Sequence, residues 1–273
     1  MENSKKLGYC KEFIIMCFDV GNTNVFAGVL NSNNELQCSF RLPTESLNNP
    51  SLFTDHLELF LKNNNLKKQD IQQVGICSVV PNLTEPLIAV CKKTFDFSPF
   101  VLTADTAPFL NIHPEVAVIL GTDMIATAVA CVYLFKGNCI VVDLGTATTL
   151  SAVNADGTFL GAVILSGIKT SLDALTEKAA QIPPIPLENP RQLLNLSTIE
   201  SCQAGAYYGH LGAIKEVAAR FQQTFPQQPM RIIGTGSLAS LYTHENVFDV
   251  IDSDLILKGI SIAAQCAAKS VHD

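Results

Sequence analysis

The chain is short of charge and lacks most of the patterns that announce a catalytic class. Charged residues fill 16% of its 273 positions, with 18 Lys plus Arg against 25 Asp plus Glu for a net charge of −7. No basic stripe is present to neutralise nucleic-acid phosphates, so a nucleic-acid partner is not expected. No run of roughly 18 apolar residues occurs, which excludes a membrane-spanning helix. The apolar stretch Phe13 to Phe18, although preceded by Lys5 and Lys6, is too short for a signal peptide and has no small-residue cleavage site before Asp19. Nine cysteines, at positions 10, 17, 38, 77, 91, 131, 139, 202 and 266, include no Cys-x-x-Cys and no metal-ligand spacing. Most sit inside apolar runs, where a free thiol acts as a small hydrophobe, and a reducing cytoplasmic location is the expectation. The sequons at Asn82 and Asn195 carry no weight there.

Several motifs are missing too. Gly167-Ile168-Lys169-Thr170 has the wrong glycine spacing for a Walker loop, and no dinucleotide fingerprint is present. Ser166 lacks the preceding Gly-x of a nucleophile elbow. The five histidines, His56, His113, His210, His244 and His272, form no triad or metal pattern.

What the chain has is a core and a repeat. Apolar residues make up 48%, which suits one large domain or two modest ones and excludes a disordered or fibrous protein. Phe18-Asp19-Val20-Gly21 recurs as Val142-Asp143-Leu144-Gly145, an offset of 143 − 19 = 124 residues. At the same offset Val29 falls on Val153 and Leu36 on Leu160, and each copy reads as a hairpin with Asp at its bend. Two α/β halves follow, 1–118 and 119–273. In the first, helices are expected over Ser51 to Leu61 and Leu83 to Phe95, with a buried strand over Val74 to Val80. In the second, helices are expected over Asp123 to Phe135, Ser171 to Ala180, Thr198 to Phe225 and Leu255 to Lys269. Strands are expected there over Cys139 to Val142, Thr148 to Val153, Phe159 to Leu165 and Arg231 to Ile233. Pro183, Pro184, Pro186 and Pro190 mark a rigid connector.

A strand ending in Asp19, followed by Gly21, Asn22 and Thr23, brings a carboxylate, backbone N–H groups and a hydroxyl into one small space. Glycine lets amide donors approach phosphate oxygens, and a carboxylate suits a hard divalent cation or its waters. Asp143, Gly145, Thr146, Thr148 and Thr149 repeat the theme. One Asp-x-Gly-Asn alone would be ordinary turn chemistry; a duplicated one reads as a nucleotide clamp. Gly234-Thr235-Gly236-Ser237 is a third glycine-bearing turn that could pack on adenine or its ribose, or serve packing alone. Asp123, after Gly121 and Thr122, stands at a helix start. Spacing alone favours a helix-dipole carboxylate there over a general base.

On Asp19-Val20-Gly21-Asn22-Thr23-Asn24, Val141-Val142-Asp143-Leu144-Gly145-Thr146-Ala147-Thr148-Thr149 and Gly234-Thr235-Gly236-Ser237-Leu238-Ala239, the chain resembles the type III pantothenate kinases, also called Bvg accessory factor homologues. The likeness runs from about residue 14 to 263. It implies an α/β fold of duplicated ribonuclease H-like domains in the actin-like ATPase and sugar kinase superfamily, a homodimer, and ATP-dependent conversion of pantothenate to 4′-phosphopantothenate, the first step of coenzyme A synthesis. The implied cofactors are ATP, magnesium and a monovalent cation, potassium or ammonium. Residue by residue, Asp19, Val20, Gly21, Asn22, Thr23, Asn24, Val25 and Phe26 resemble the ATP phosphate motif, with Thr146, Gly234, Thr235 and Gly236 as further ATP positions. Asp143 resembles the monovalent-cation ligand. Asp123 corresponds to the proton acceptor, reversing the spacing-only preference, and Gly121, Thr122, Met124 and Thr198 fall on acceptor-binding positions.

The departures lie on the acceptor side. The family's Gly-Ala-Asp-Arg reads Gly121-Thr122-Asp123-Met124, so a thioether replaces a guanidinium suited to a carboxylate. A family Tyr reads Pro114, Gly-Gly-Ala-Ile-x-Pro-Gly reads Leu160 to Gly167, and the final Gly-Gly reads Gly236-Ser237. The sequence therefore carries two expectations: a working kinase, or an ATP-binding paralogue with an altered acceptor site and an accessory role.

Overall fold

The computed structural model describes residues 13–270; Lys5, Lys6, Cys10 and His272 lie outside the described residues. The first half contains strands β1 (Ile14–Val20), β2 (Asn24–Asn31) and β3 (Leu36–Pro43), helix α1 (Pro50–Asn63), strand β4 (Gln73–Ser78), helix α2 (Pro81–Phe95) and the short strand β5 (Phe100–Val101). A short helix α3 (Pro114–Ala117) and helix α4 (Thr122–Phe135) lead to the second half. There follow β6 (Cys139–Leu144), β7 (Ala147–Val153), β8 (Phe159–Ser166), α5 (Ile168–Lys178), α6 (Thr198–Thr224), β9 (Arg231–Thr235), β10 (Val250–Ile251) and α7 (Leu255–Ser270).

Local chemistry explains the boundaries. Helix α1 begins where the Asn49 side chain accepts a hydrogen bond from Leu52 N–H and Pro50 supplies a preset φ at the first helical position. Its buried stripe is Phe53, Leu57 and Leu61, spaced by four, while Leu52 and Leu59 stay half exposed. The alternating β1 residues Met16, Phe18 and Val20 meet that stripe and helix α2 on one face of the sheet. Ile140, Val142 and Leu144 of β6 meet α6 through Tyr207, Leu211 and Ile214 in the same way.

The two sheets have the same plan. Their strand orders are β3-β2-β1-β4-β5 and β8-β7-β6-β9-β10, each with two antiparallel pairings followed by two parallel ones. This is the duplicated ribonuclease H-like α/β architecture. The repeat register needs one correction. Val20 pairs with Val25 across the first bend and Leu144 with Thr148 across the second. Four residues bridge the first turn and three the second, so the 124-residue offset drops to 123 beyond the bend. Leu30 is therefore the counterpart of Val153, and Leu36 of Phe159, because each pair occupies the same ladder position.

Between the sheets lie α4 and α7, packed on each other and on the inner rows Ile15 and Cys17 of β1 and Cys139 and Val141 of β6. Helix α7 comes from the end of the chain yet rests on β1 and β4 of the first sheet. The two helices approach closely at Gly259, where an added Cβ would strike the Ala126 carbonyl oxygen and lie 2.5 Å from its carbon. No helix among the described residues is long and apolar enough to cross a membrane.

Helix propensity favours Ala over Gly by about 1 kcal/mol in an open helix. Gly259→Ala is nevertheless expected to destabilise the protein by roughly 1–3 kcal/mol through overpacking against α4. Urea unfolding checks this; a raised midpoint would contradict the close approach.

Candidate active site

Period-2 alternation sets the site. On β1 the inner row is Ile15, Cys17, Asp19, and on β6 it is Cys139, Val141, Asp143, so each carboxylate ends a row facing the space between the sheets. The helices α4 and α7 fill that space farther down. Where they stop, a cleft of about 190 Å³ opens, lined by Asp19, Gly21, Asn22, Thr23, Asn24, Phe26, Arg41, Asp123, Asp143, Gly145, Thr146, Gly236 and Ser237, with Ser253 and Ile256 closing the α7 side.

The two hairpin bends meet across this cleft. The hydroxyls of Thr23 and Thr146 share a hydrogen bond of 2.8 Å. Each bend is pinned from outside by matching contacts. Thr44 N–H donates to Thr23 O at 2.9 Å and its hydroxyl donates to Gly21 O at 2.6 Å. In the second half Gly167 N–H donates to Thr146 O at 3.1 Å and the Thr170 hydroxyl donates to the same oxygen at 2.7 Å. Gly21 N–H closes its turn on Asn24 O, and Gly145 N–H on Ala147 O, both at 3.0 Å. The N–H groups of Asn22 and Thr23 are not used by any such contact among the described residues, which leaves two donors available at the bend.

Three acids crowd the floor. Burial pushes the Asp19 carboxyl up to about 8, reinforced by Asp143 and Asp123 and opposed by Arg41. Burial likewise raises Asp143 to about 7, with Asp123 adding and Arg41 opposing. Asp123 is raised by burial, while Met124 N–H, donating to Oδ1 at 2.7 Å, pulls it back. Among the described residues no group of three His, Cys, Asp or Glu side chains is arranged to hold a metal ion by itself. The donor set instead fits a hard cation that keeps waters and takes further oxygens from a phosphate.

The structure brings together Asp19, Gly21, Asn22, Thr23, Asn24, Phe26, Asp123, Asp143, Thr146 and Gly236. Gly236 has φ +85°, and a Cβ there would run into Asp143 Oδ1, so the third turn lies directly against the second Asp. The other sequence candidates stand back from the cleft. Val20 and Val25 are fully buried in the outer core, Gly234 lies under the Phe248 ring, and Thr235 is fully buried. The Thr122 hydroxyl donates to Ser78 O at 2.9 Å and accepts from the Cys77 thiol at 3.2 Å, anchoring the start of α4 to the end of β4. Gly121 precedes that helix as its cap, and Met124 follows Asp123 on it. Thr198 is elsewhere: with Ser171, Leu175, Leu196 and Cys202 it lines a separate hollow of about 540 Å³ between α5 and α6. The sequence reading missed Arg41, on β3. Only the β2–β3 register, which pairs Phe26 with Arg41, could have revealed it.

Comparison with known proteins gives a consistent outcome. The sequence profile of the family described as type III pantothenate kinase matches residues 15–220. A relative named type III pantothenate kinase, from Legionella pneumophila, is 37% identical over 257 residues, covering 92% of this chain and 98% of its own. A second, named type III pantothenate kinase 1, from Francisella tularensis, is 35% identical over 254 residues, covering 92% and 99%. Among solved structures, a Baf family protein from Campylobacter jejuni matches with TM-score 0.54 at 20% identity over 93% of this chain and 99% of its own. The activator of a Clostridium difficile 2-hydroxyisocaproyl-CoA dehydratase, with bound ADPNP, matches with TM-score 0.53 at 12% identity, covering 95% and 97%. These two show likeness of fold.

The elevated acids make a stability prediction. A carboxyl whose folded pKa lies above its unfolded value contributes stability below the unfolded pKa and loses it as pH rises through the folded one. Asp19, at about 8 against 3.8, thus weighs against the ligand-free fold increasingly from pH 4 to pH 8. Asp19→Asn should be more stable than the parent at pH 8, by on the order of 1 kcal/mol or more, with the gap closing toward pH 5. Chemical denaturation at both pH values checks it; a gap independent of pH would contradict the assigned burial.

Proposed function

The chain belongs to the type III pantothenate kinase family, and from that premise we propose how its cleft carries out ATP-dependent phosphorylation of pantothenate, the first step of coenzyme A synthesis. The observation that carries the reading is the convergence of Asp19, Asp123 and Asp143 with two glycine-bearing bends on one cleft.

The bends hold the ATP phosphates, with the unspent N–H groups of Asn22 and Thr23 and the one free proton of the Thr23–Thr146 hydroxyl pair as donors. Gly236 and Ser237 border the nucleoside side. Asp19 and Asp143 would hold magnesium and a monovalent cation, which when bound supply countercharge to the triphosphate; Asp143 is the potassium ligand by family likeness. Asp123 accepts the proton of the pantothenate 4′-hydroxyl as that oxygen bonds to the γ-phosphorus and the bridging oxygen leaves with ADP. Its burial-raised pKa brings it closer to a working base, and its place at the first turn of α4 fixes its direction. Met124 itself offers the acceptor carboxylate no charge-assisted partner. A homodimer in the cytoplasm completes the reading; the exposed Leu193, Leu194 and Leu196, the last lining the Thr198 hollow, support the dimer.

The test is ADP release with pantothenate, ATP, magnesium and potassium. Pantothenate-dependent turnover is expected; ATP binding with no turnover at millimolar pantothenate would overturn it. Asp123→Asn should lower kcat on the order of 10²- to 10⁴-fold with ATP affinity little changed, and equal loss of both would contradict a proton-accepting role. Asp143→Asn should flatten the dependence of rate on potassium; an unaltered potassium response would remove it from that role.

A further inference from the structure

One cation lies in the cleft, and neither the repeat nor the family motifs account for it. Arg41 occupies the edge strand β3, where its Cζ stacks 3.6 Å from the centroid of the Phe26 ring. The cross-strand row Asp19–Phe26–Arg41 puts the guanidinium on the same sheet face as the first carboxylate. It is solvent-exposed, and no hydrogen bond or ion pair engages its nitrogens among the described residues. Five donors stand preset over a cleft otherwise lined by acids and neutral groups.

Two further facts point to a ligand on the donor side. Thr44, three residues along and just past the end of β3, is the residue that pins the first bend through Thr23 O and Gly21 O, so the Arg41 strand is tied directly to that bend. Met124, on the acceptor position, belongs to α4, which is anchored separately to β4. The counterpart of Arg41 in the second half, by the pairing of Thr149 with Ile164, is an exposed isoleucine. The duplicated frame thus carries the cation only once, which a purely architectural requirement would not explain.

We propose that Arg41 is a catalytic residue that grips the terminal phosphate oxygens of the nucleotide donor with its planar fork, held ready by the Phe26 ring. It supplies the positive charge the acid cluster lacks, and it steadies the phosphoryl group as charge spreads over its oxygens. This rests on the kinase reading above.

The experiment compares the full-length parent with Arg41→Met and Arg41→Lys, measuring ATP affinity without acceptor and then kcat and both Michaelis constants. Arg41→Met should reduce kcat/KM for ATP on the order of 10- to 100-fold, with the Michaelis constant for pantothenate moving less than about threefold. Arg41→Lys, which keeps charge but not the fork, should fall between. A rise confined to the pantothenate Michaelis constant would overturn the proposal, because Arg41 would then be reading the acceptor carboxylate in place of the guanidinium missing at 124. Unchanged kinetics and unchanged ATP affinity would overturn it as well. If the parent binds ATP but never phosphorylates pantothenate, the kinase reading fails while Arg41 is still judged by whether its loss weakens ATP binding. Arg41 is exposed on an edge strand, so thermal midpoints near the parent's are expected; should Arg41→Met not fold, Arg41→Lys alone decides, a parent-like ATP kcat/KM counting against the proposal.

Discussion

Two carboxylates are forced toward one another by the alternation of two equivalent strands. Everything outward of Asp19 and Asp143 on β1 and β6 is apolar packing, and everything inward is a row that ends in an acid. Burial first, and the neighbouring acids second, with Asp123 added from α4, make ionisation of Asp19 and Asp143 costly in the ligand-free cleft, and their raised pKa values express that cost. A cation with a phosphate chain would relieve it.

The rest of the molecule keeps those acids from drifting apart. The helices α4 and α7 fill the space behind them, and the contact at Gly259 locks the two helices at backbone distance. The Thr23–Thr146 hydrogen bond ties the bends in front. Since α7 rests on the first sheet although it follows the second in sequence, the halves are joined by a shared core as well as by the chain.

Much of this was legible in the sequence. The repeated Asp-x-Gly gave both strands, both bends and the facing acids, because a strand's alternation and a glycine turn are local properties. The long helices α1, α4, α6 and α7 followed from spacing. What local pattern could not reach was register and neighbourhood. The one-residue difference between the bends shifted the repeat beyond them. The two-residue strands β5 and β10 are too short to show a period, and β3 was not identified as a separate strand in the first half. Arg41 was invisible for the same reason: it joins the site only because β3 pairs with β2. Conversely, Val20 and Val25 sit in a motif that touches the cleft while their own side chains face the outer core, Thr235 is fully buried although it shares the Asp143 row, and Thr198 lies in a different hollow of the same chain.

The central claim is that both bends close on one nucleotide. Hydrogen exchange of the intact protein, with and without magnesium and a non-hydrolysable ATP analogue, tests it most directly. The account predicts that segments 20–26 and 143–149 gain protection together and at the same nucleotide concentration. Protection of one segment alone, or protection confined to the 198–206 region, would contradict it.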